Sequence, residues 1–96
     1  MHYRKQLMYR CGHFGAKECE IILKDWLTLN SAQLTRAELE QFDDEILSME
    51  VPHLQRYLIF GQIVSDQDMH LKYLHVLLDY IEARKTDFKA NTPERY

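Results

Sequence analysis

A one-sided apolar stripe on a predicted helix is the feature that most constrains how this chain can fold. Over residues 16–29, apolar side chains recur at helical spacing and polar side chains fill most of the remaining positions. The stripe consists of Cys19, Ile22, Leu23, Trp26 and Leu27. An amphipathic helix of this kind has to cover an apolar surface, so the rest of the chain must supply one.

Clear start signals place two further helices in the middle of the chain. Thr35 and Glu38 form a capping box, which predicts a helix from Thr35 to about Met49. Pro52 suits the first turn of the next helix, a short element that Gly61 ends.

Helical spacing also predicts a short first helix over residues 1–11 and a last helix from Ser65 to about Lys85. Residues 86–96 carry little periodicity and are expected to form a frayed tail. With 96 residues, three glycines and two prolines, the chain suits one all-α domain over residues 1–96. We expect a small bundle of about five helices with antiparallel neighbours.

The stretch between the first two helices is the strongest candidate for a functional surface. It contains Gly12 and Gly15, and glycine lets another backbone approach closely. We expect this break to face outward and to dock against another protein. The candidate partner-binding residues are Arg10, His13, Phe14, Gly15, Lys17 and Glu18.

The charge distribution favours an oriented protein contact over nucleic-acid binding. Residues 1–24 carry a formal charge of +3 and residues 25–96 carry −6, which together give −3. A helix-turn-helix DNA reader built from Thr35–Met49 and Pro52–Phe60 is the alternative. Its first helix is strongly acidic and its second offers only Arg56, so DNA phosphates would repel it.

No pattern in the sequence predicts catalysis or metal binding. Cys11, Cys19 and His13 lack zinc-site spacing, and a nucleophilic pair of Cys19 with His13 is disfavoured because Cys19 begins the apolar stripe. The acidic run 43–45 is expected to be a solvated helix face. We therefore predict no catalytic residues, no metal ligands and no active site of the chain's own.

Cysteine use and hydropathy bear on where the protein works. Two cysteines do not make a disulfide framework and are expected to be reduced thiols in a reducing compartment. No signal-peptide pattern is seen in residues 1–10, and no apolar segment approaches membrane-spanning length. A soluble intracellular protein without membrane insertion is expected.

Three segments in order along residues 4–85 resemble the succinate dehydrogenase assembly factor family. Residues 9–18 resemble its Arg-Gly-x-x-Glu signature, with Gly15 and Glu18 in the matching positions and Lys17 between them. Residues 34–42 resemble its Leu-Ser/Thr-x-x-Glu-Leu-x-x-Phe helix start, and residues 51–58 its Asp-Pro-Asp-Leu-x-x-Trp element. The chain departs from the family at Phe14, which replaces the signature arginine, and at Val51, His53 and Tyr57.

The resemblance implies a helical assembly factor that binds the flavoprotein subunit of succinate dehydrogenase, with fumarate reductase as a related client. It would promote covalent FAD attachment while the FAD belongs to the partner, so no tightly bound cofactor is expected. A monomer in the bacterial cytoplasm, or in the mitochondrial matrix for a trimmed form, is implied. Either Arg10, His13 or Lys17 compensates for the missing arginine, or the chain is a diverged adaptor with another client.

Overall fold

The computed structural model describes residues 2–91, and this part of the chain forms five α-helices and no strand. The helices are α1 (His2–Cys11), α2 (Lys17–Asn30), α3 (Arg36–Phe42), α4 (Val51–Leu58) and α5 (Lys72–Asn91). A 3₁₀ turn, Ser31–Gln33, follows α2, and a π-helical turn, Asp43–Leu47, continues α3. The predicted all-α bundle of about five helices is confirmed.

The predicted stripe of α2 forms the centre of the core. Four of its five members are buried and the fifth, Ile22, is half-buried. The indole of Trp26 stacks on the ring of Phe42 at 5.2 Å between centroids, and Tyr73 meets both rings edge-on. Aromatic pairs in these arrangements add to the stabilisation that burial alone provides. Trp26 therefore joins α2, α3 and α5 at one point.

Contacts near its N-terminus fix α1 against the start of α3. The Arg4 guanidinium donates from Nε to the Ser31 carbonyl at 3.0 Å and from Nη2 to the Leu34 carbonyl. The Arg36 guanidinium lies 4.1 Å from the centroid of the Tyr3 ring, which is a cation–π contact. The C-terminal end of α1 is held separately, by the ion pair of Arg10 with Asp43.

The predicted capping box is confirmed at the start of α3. The Glu38 amide donates to Thr35 Oγ1 at 3.1 Å, and the Thr35 amide donates to Glu38 Oε1 at 2.8 Å. Each side chain satisfies a backbone donor that the helix itself leaves unpaired.

The acidic run 43–45, which the sequence predicts to be a solvated helix face, lies in the π-helical turn. Asp43 accepts hydrogen bonds from Tyr3 and Arg10, and Glu45 Oε1 accepts the backbone N–H of Tyr73 at 2.7 Å. Only Asp44 is exposed. The expectation is therefore wrong for Asp43 and Glu45, because each carboxylate has a partner on another helix.

The last helix begins and ends later than the spacing predicts. It starts at Lys72 rather than Ser65, and residues 61–71 form a connection of turns. The backbone of residues 86–91 continues the helix, since no glycine or proline interrupts it before Pro93. The expected frayed tail otherwise falls on residues 92–96, which lie outside the described residues.

Candidate docking surface

A tight turn of residues 12–16 forms the break between α1 and α2. The Gly12 amide donates to the Met8 carbonyl at 3.1 Å and the His13 amide to the Arg10 carbonyl at 3.1 Å, which closes the end of α1. Ala16 is buried and has extended backbone angles at the start of α2. The turn is thus anchored at both ends while its middle lies at the surface.

Gly15 faces solvent on one side and packs against α4 on the other. The residue is exposed, and its N–H donates to Glu20 Oε2 at 2.8 Å. Its φ is +124°, a backbone conformation that residues with a Cβ rarely adopt. A Cβ at this position would lie 3.0 Å from Val51 Cγ2. Glycine is therefore required by backbone angle and by packing, independently of any partner.

A cleft of about 300 Å³ lies between the break and the α3–α4 junction. We call it the break cleft, and it is lined by Tyr9, Arg10, His13, Phe14, Leu47, Met49, Glu50 and Val51. Phe14, Met49 and Val51 are half-buried and pack on the core, so they give the cleft an apolar floor.

Arg10 is held at the edge of the break cleft by Asp43. Its Nη1 lies 2.8 Å from Asp43 Oδ1 and 2.9 Å from Oδ2, and Tyr3 donates to the same carboxylate at 3.1 Å. The Arg10 side chain remains 48% exposed. Its other N–H groups are thus available to an acceptor on a partner, in an orientation that Asp43 fixes.

His13 is oriented by Tyr9. The two rings stack with centroids 4.0 Å apart, and His13 Nδ1 lies 2.8 Å from the Tyr9 carbonyl oxygen. Since a carbonyl oxygen only accepts, Nδ1 carries the proton in this contact and Nε2 is left for another partner. Both residues are exposed, so they form an aromatic rim beside Arg10.

Comparison with protein families gives a match to the family described as the flavinator of succinate dehydrogenase, over residues 5–83. This match covers most of the chain. The chain belongs to the succinate dehydrogenase flavinator family. Comparisons with curated proteins and with solved structures found no match. The resemblance seen in the sequence is confirmed, and with it a role in the assembly of succinate dehydrogenase.

The six predicted docking residues divide into two groups in space. Arg10, His13 and Phe14 line the break cleft, and Gly15 packs beside it on Val51. Lys17 and Glu18 are exposed on the first turn of α2 and do not line the cleft. Among the described residues neither side chain makes a hydrogen bond or an ion pair, so both side chains are free to meet a partner.

Sequence reasoning misses the half of the cleft that comes from the α3–α4 junction. The sequence places Met49 on the buried face of a predicted helix and Val51 in the proline element, and it does not single out Tyr9 as a site residue. Spacing along the chain does not reveal which helix end faces a loop forty residues away. The one available signal is the small residue at position 15, which marks a close approach without naming its partner.

Neither thiol of the chain is a candidate nucleophile. Burial raises the pKa of Cys11 to about 12 and that of Cys19 to about 11, so both stay protonated and inert. In the described part of the chain no group of His, Cys, Asp and Glu side chains is placed to hold a metal ion. No helix of this part is long and apolar enough to span a bilayer.

Proposed function

We propose that this flavinator binds the flavoprotein subunit of succinate dehydrogenase through the break cleft and promotes covalent attachment of FAD to it. The observation that carries the proposal is the family match over residues 5–83 together with a fixed, exposed cleft at the family signature. Fumarate reductase is the related client that the same surface would serve.

The cleft suits a protein partner because its rim is already ordered. Asp43 holds Arg10 and Tyr9 holds His13, so little side-chain freedom is lost when a partner binds. The floor of Phe14 and its neighbours accepts an apolar side chain, and Arg10 beside it favours a carboxylate. We infer that the contacting segment of the flavoprotein places an apolar side chain next to an acidic one.

The flavinator has no active site of its own in this proposal. At about 300 Å³ the break cleft is at the small end of ligand pockets, which fits one partner side chain better than a dinucleotide. FAD stays with the partner, whose histidine and cofactor supply the chemistry. The flavinator acts by holding the partner in the conformation where these groups meet, in the bacterial cytoplasm or the mitochondrial matrix.

Arg10→Ala provides the sharpest test of the docking role. The exposed ion pair with Asp43 contributes only about 0.2–1 kcal/mol to folding, so the variant should remain folded. Loss of a charge-assisted hydrogen bond to the partner should weaken binding about 10- to 100-fold. Arg84→Ala is the matched control, because Arg84 is exposed on α5, donates to Tyr80 at 3.2 Å and lies outside the cleft.

Binding is measured by titrating the purified flavoprotein subunit, and FAD attachment by its in-gel fluorescence. We expect the wild type and Arg84→Ala to bind and to support flavinylation, and Arg10→Ala to bind about 10- to 100-fold more weakly and to support less flavinylation. A wild-type protein that fails to bind the subunit would contradict the proposed function. A different single partner recovered from the native host would favour the diverged adaptor, which the phenylalanine at position 14 makes the second candidate.

A further inference from the structure

The connection between α4 and α5 is not helical although its sequence predicts a helix. Ser65 is a suitable N-cap and Asp68 follows three residues later, with no glycine or proline between Ser65 and Lys72. The structure instead has a run of three-residue turns over residues 65–71 that do not form a continuous helix. The Asp68 amide donates to the Ser65 carbonyl at 3.0 Å and the Leu71 amide to the Asp68 carbonyl at 3.0 Å. Contacts from outside this segment must therefore oppose its local preference for a helix.

The Asp68 carboxylate ties this connection to α4. Its Oδ2 accepts from the Tyr57 hydroxyl at 2.6 Å and lies 2.8 Å from His53 Nε2, both on α4, and Ser65 Oγ lies 3.4 Å away. The Asp68 side chain is only 16% exposed and Tyr57 is buried. We call these four residues the Asp68 latch.

A second carboxylate fixes the position where α5 begins. Glu45 Oε1 accepts the backbone N–H of Tyr73 at 2.7 Å. In a longer helix this N–H would donate to the carbonyl four residues earlier, that of Met69. Glu45 therefore takes the place of the carbonyl acceptor that a preceding helical turn would provide.

We propose that the Asp68 latch is a conformational switch whose release lets α5 extend back to Ser65. The apolar pattern of α5 continues into the connection, because Met69 precedes Tyr73 by four residues and Leu71 precedes Leu74 by three. Tyr73 and Leu74 are both buried, so the added turns would present Met69 and Leu71 toward the same side. The extended state thus has a helix start and an apolar face already encoded.

The switch also gives Asp68 a partner in each state. With the latch closed, the carboxylate accepts hydrogen bonds from α4. In the extended helix it occupies the first turn after Ser65, where the helix dipole favours a negative side chain. The change lengthens α5 by roughly two turns, shortens the connection, and separates His53 from its carboxylate.

Substitutions in the full-length protein test the switch by backbone NMR. Tyr57→Phe keeps the buried ring and removes the hydroxyl donor, and Asp68→Asn removes the charge at nearly constant shape. Asp66→Asn is the matched control, because Asp66 is exposed in the same connection and its side chain has no hydrogen bond among the described residues.

Cα chemical shifts of residues 66–71 report the outcome. We expect helical shifts there in Tyr57→Phe and Asp68→Asn, with native shifts retained in α1 and α2, and wild-type turn shifts in Asp66→Asn. If residues 66–71 keep turn shifts or move to random-coil shifts in both latch variants, the switch is overturned. Should Asp68→Asn fail to fold, Tyr57→Phe alone decides.

Discussion

Replacing Gly15 by alanine should destabilise the fold through two separable effects. The φ of +124° is strained for any residue with a Cβ, which costs about 1–3 kcal/mol. The new methyl group would also lie 3.0 Å from Val51 Cγ2, and overpacking of this kind costs about 1–3 kcal/mol. The smaller unfolded-state entropy of alanine offsets about 0.4–1 kcal/mol. We expect a net loss of about 1–5 kcal/mol.

The other two glycines are natural controls for the two effects. Gly61 has φ of +69° and no atom within 4 Å of the position that a Cβ would occupy, so Gly61→Ala isolates backbone strain of about 1–2 kcal/mol. A Cβ on Gly12 would lie 3.1 Å from Lys24 Cδ, near the end of a flexible exposed side chain that can move away. Gly12→Ala should therefore change stability least of the three.

Val51→Ala separates the steric effect from the strain. In that background the alanine at position 15 no longer meets a Cγ atom, so its penalty should fall by about 1 kcal/mol or more. Urea unfolding of the four single variants and the double variant gives each free energy, with the slope checked for constancy. This account of the contact between Gly15 and Val51 would be refuted in either of two ways. Gly15→Ala could prove as stable as Gly12→Ala, or the stability cost of Gly15→Ala could be unchanged by Val51→Ala.

The remaining predictions concern titratable groups. Burial raises the pKa of Cys11 and of Cys19, so at neutral pH both thiols should react with a disulfide reagent only as fast as the protein opens. In denaturant both should react fully. Rapid labelling of the native protein would contradict this. The Tyr57 hydroxyl, with help from His53, lowers the pKa of Asp68 from its usual 3.8, whereas desolvation opposes the shift. Ionised Asp68 therefore stabilises the fold above that value, and the stabilisation disappears as the pH falls through the lowered pKa. Asp68→Asn should remove this part of the acid dependence of urea unfolding, and an unchanged profile would show that another group causes it.

The sequence predicts those elements whose determining residues lie within a few positions of one another. The capping box of Thr35 and Glu38 needs only its own side chains, and the α2 stripe needs only its spacing, so both are readable from the sequence. The Asp68 latch depends on Tyr57 and His53, whose approach is a property of the assembled fold. The sequence therefore predicts a helix from Ser65 where tertiary contacts favour turns.

The candidate site shows the same division. Sequence reasoning places a functional surface at the glycine break, and the structure puts Arg10 and His13 at an ordered cleft there. Sequence reasoning could not identify Asp43 as part of this site, because Asp43 orients Arg10 from thirty-three positions further along the chain. Asp43 is the first residue of the π-helical turn, and no residue pattern in the run 43–47 predicts that turn.

The position of the single tryptophan makes the protein its own optical reporter. Trp26 is the sole indole of the chain and packs against the rings of Phe42 and Tyr73, so its emission depends on three helices at once. Separation of α5 from α2 would change the fluorescence as surely as global unfolding would. An untagged sample therefore allows rearrangement of these helices to be followed in real time with ultraviolet excitation alone.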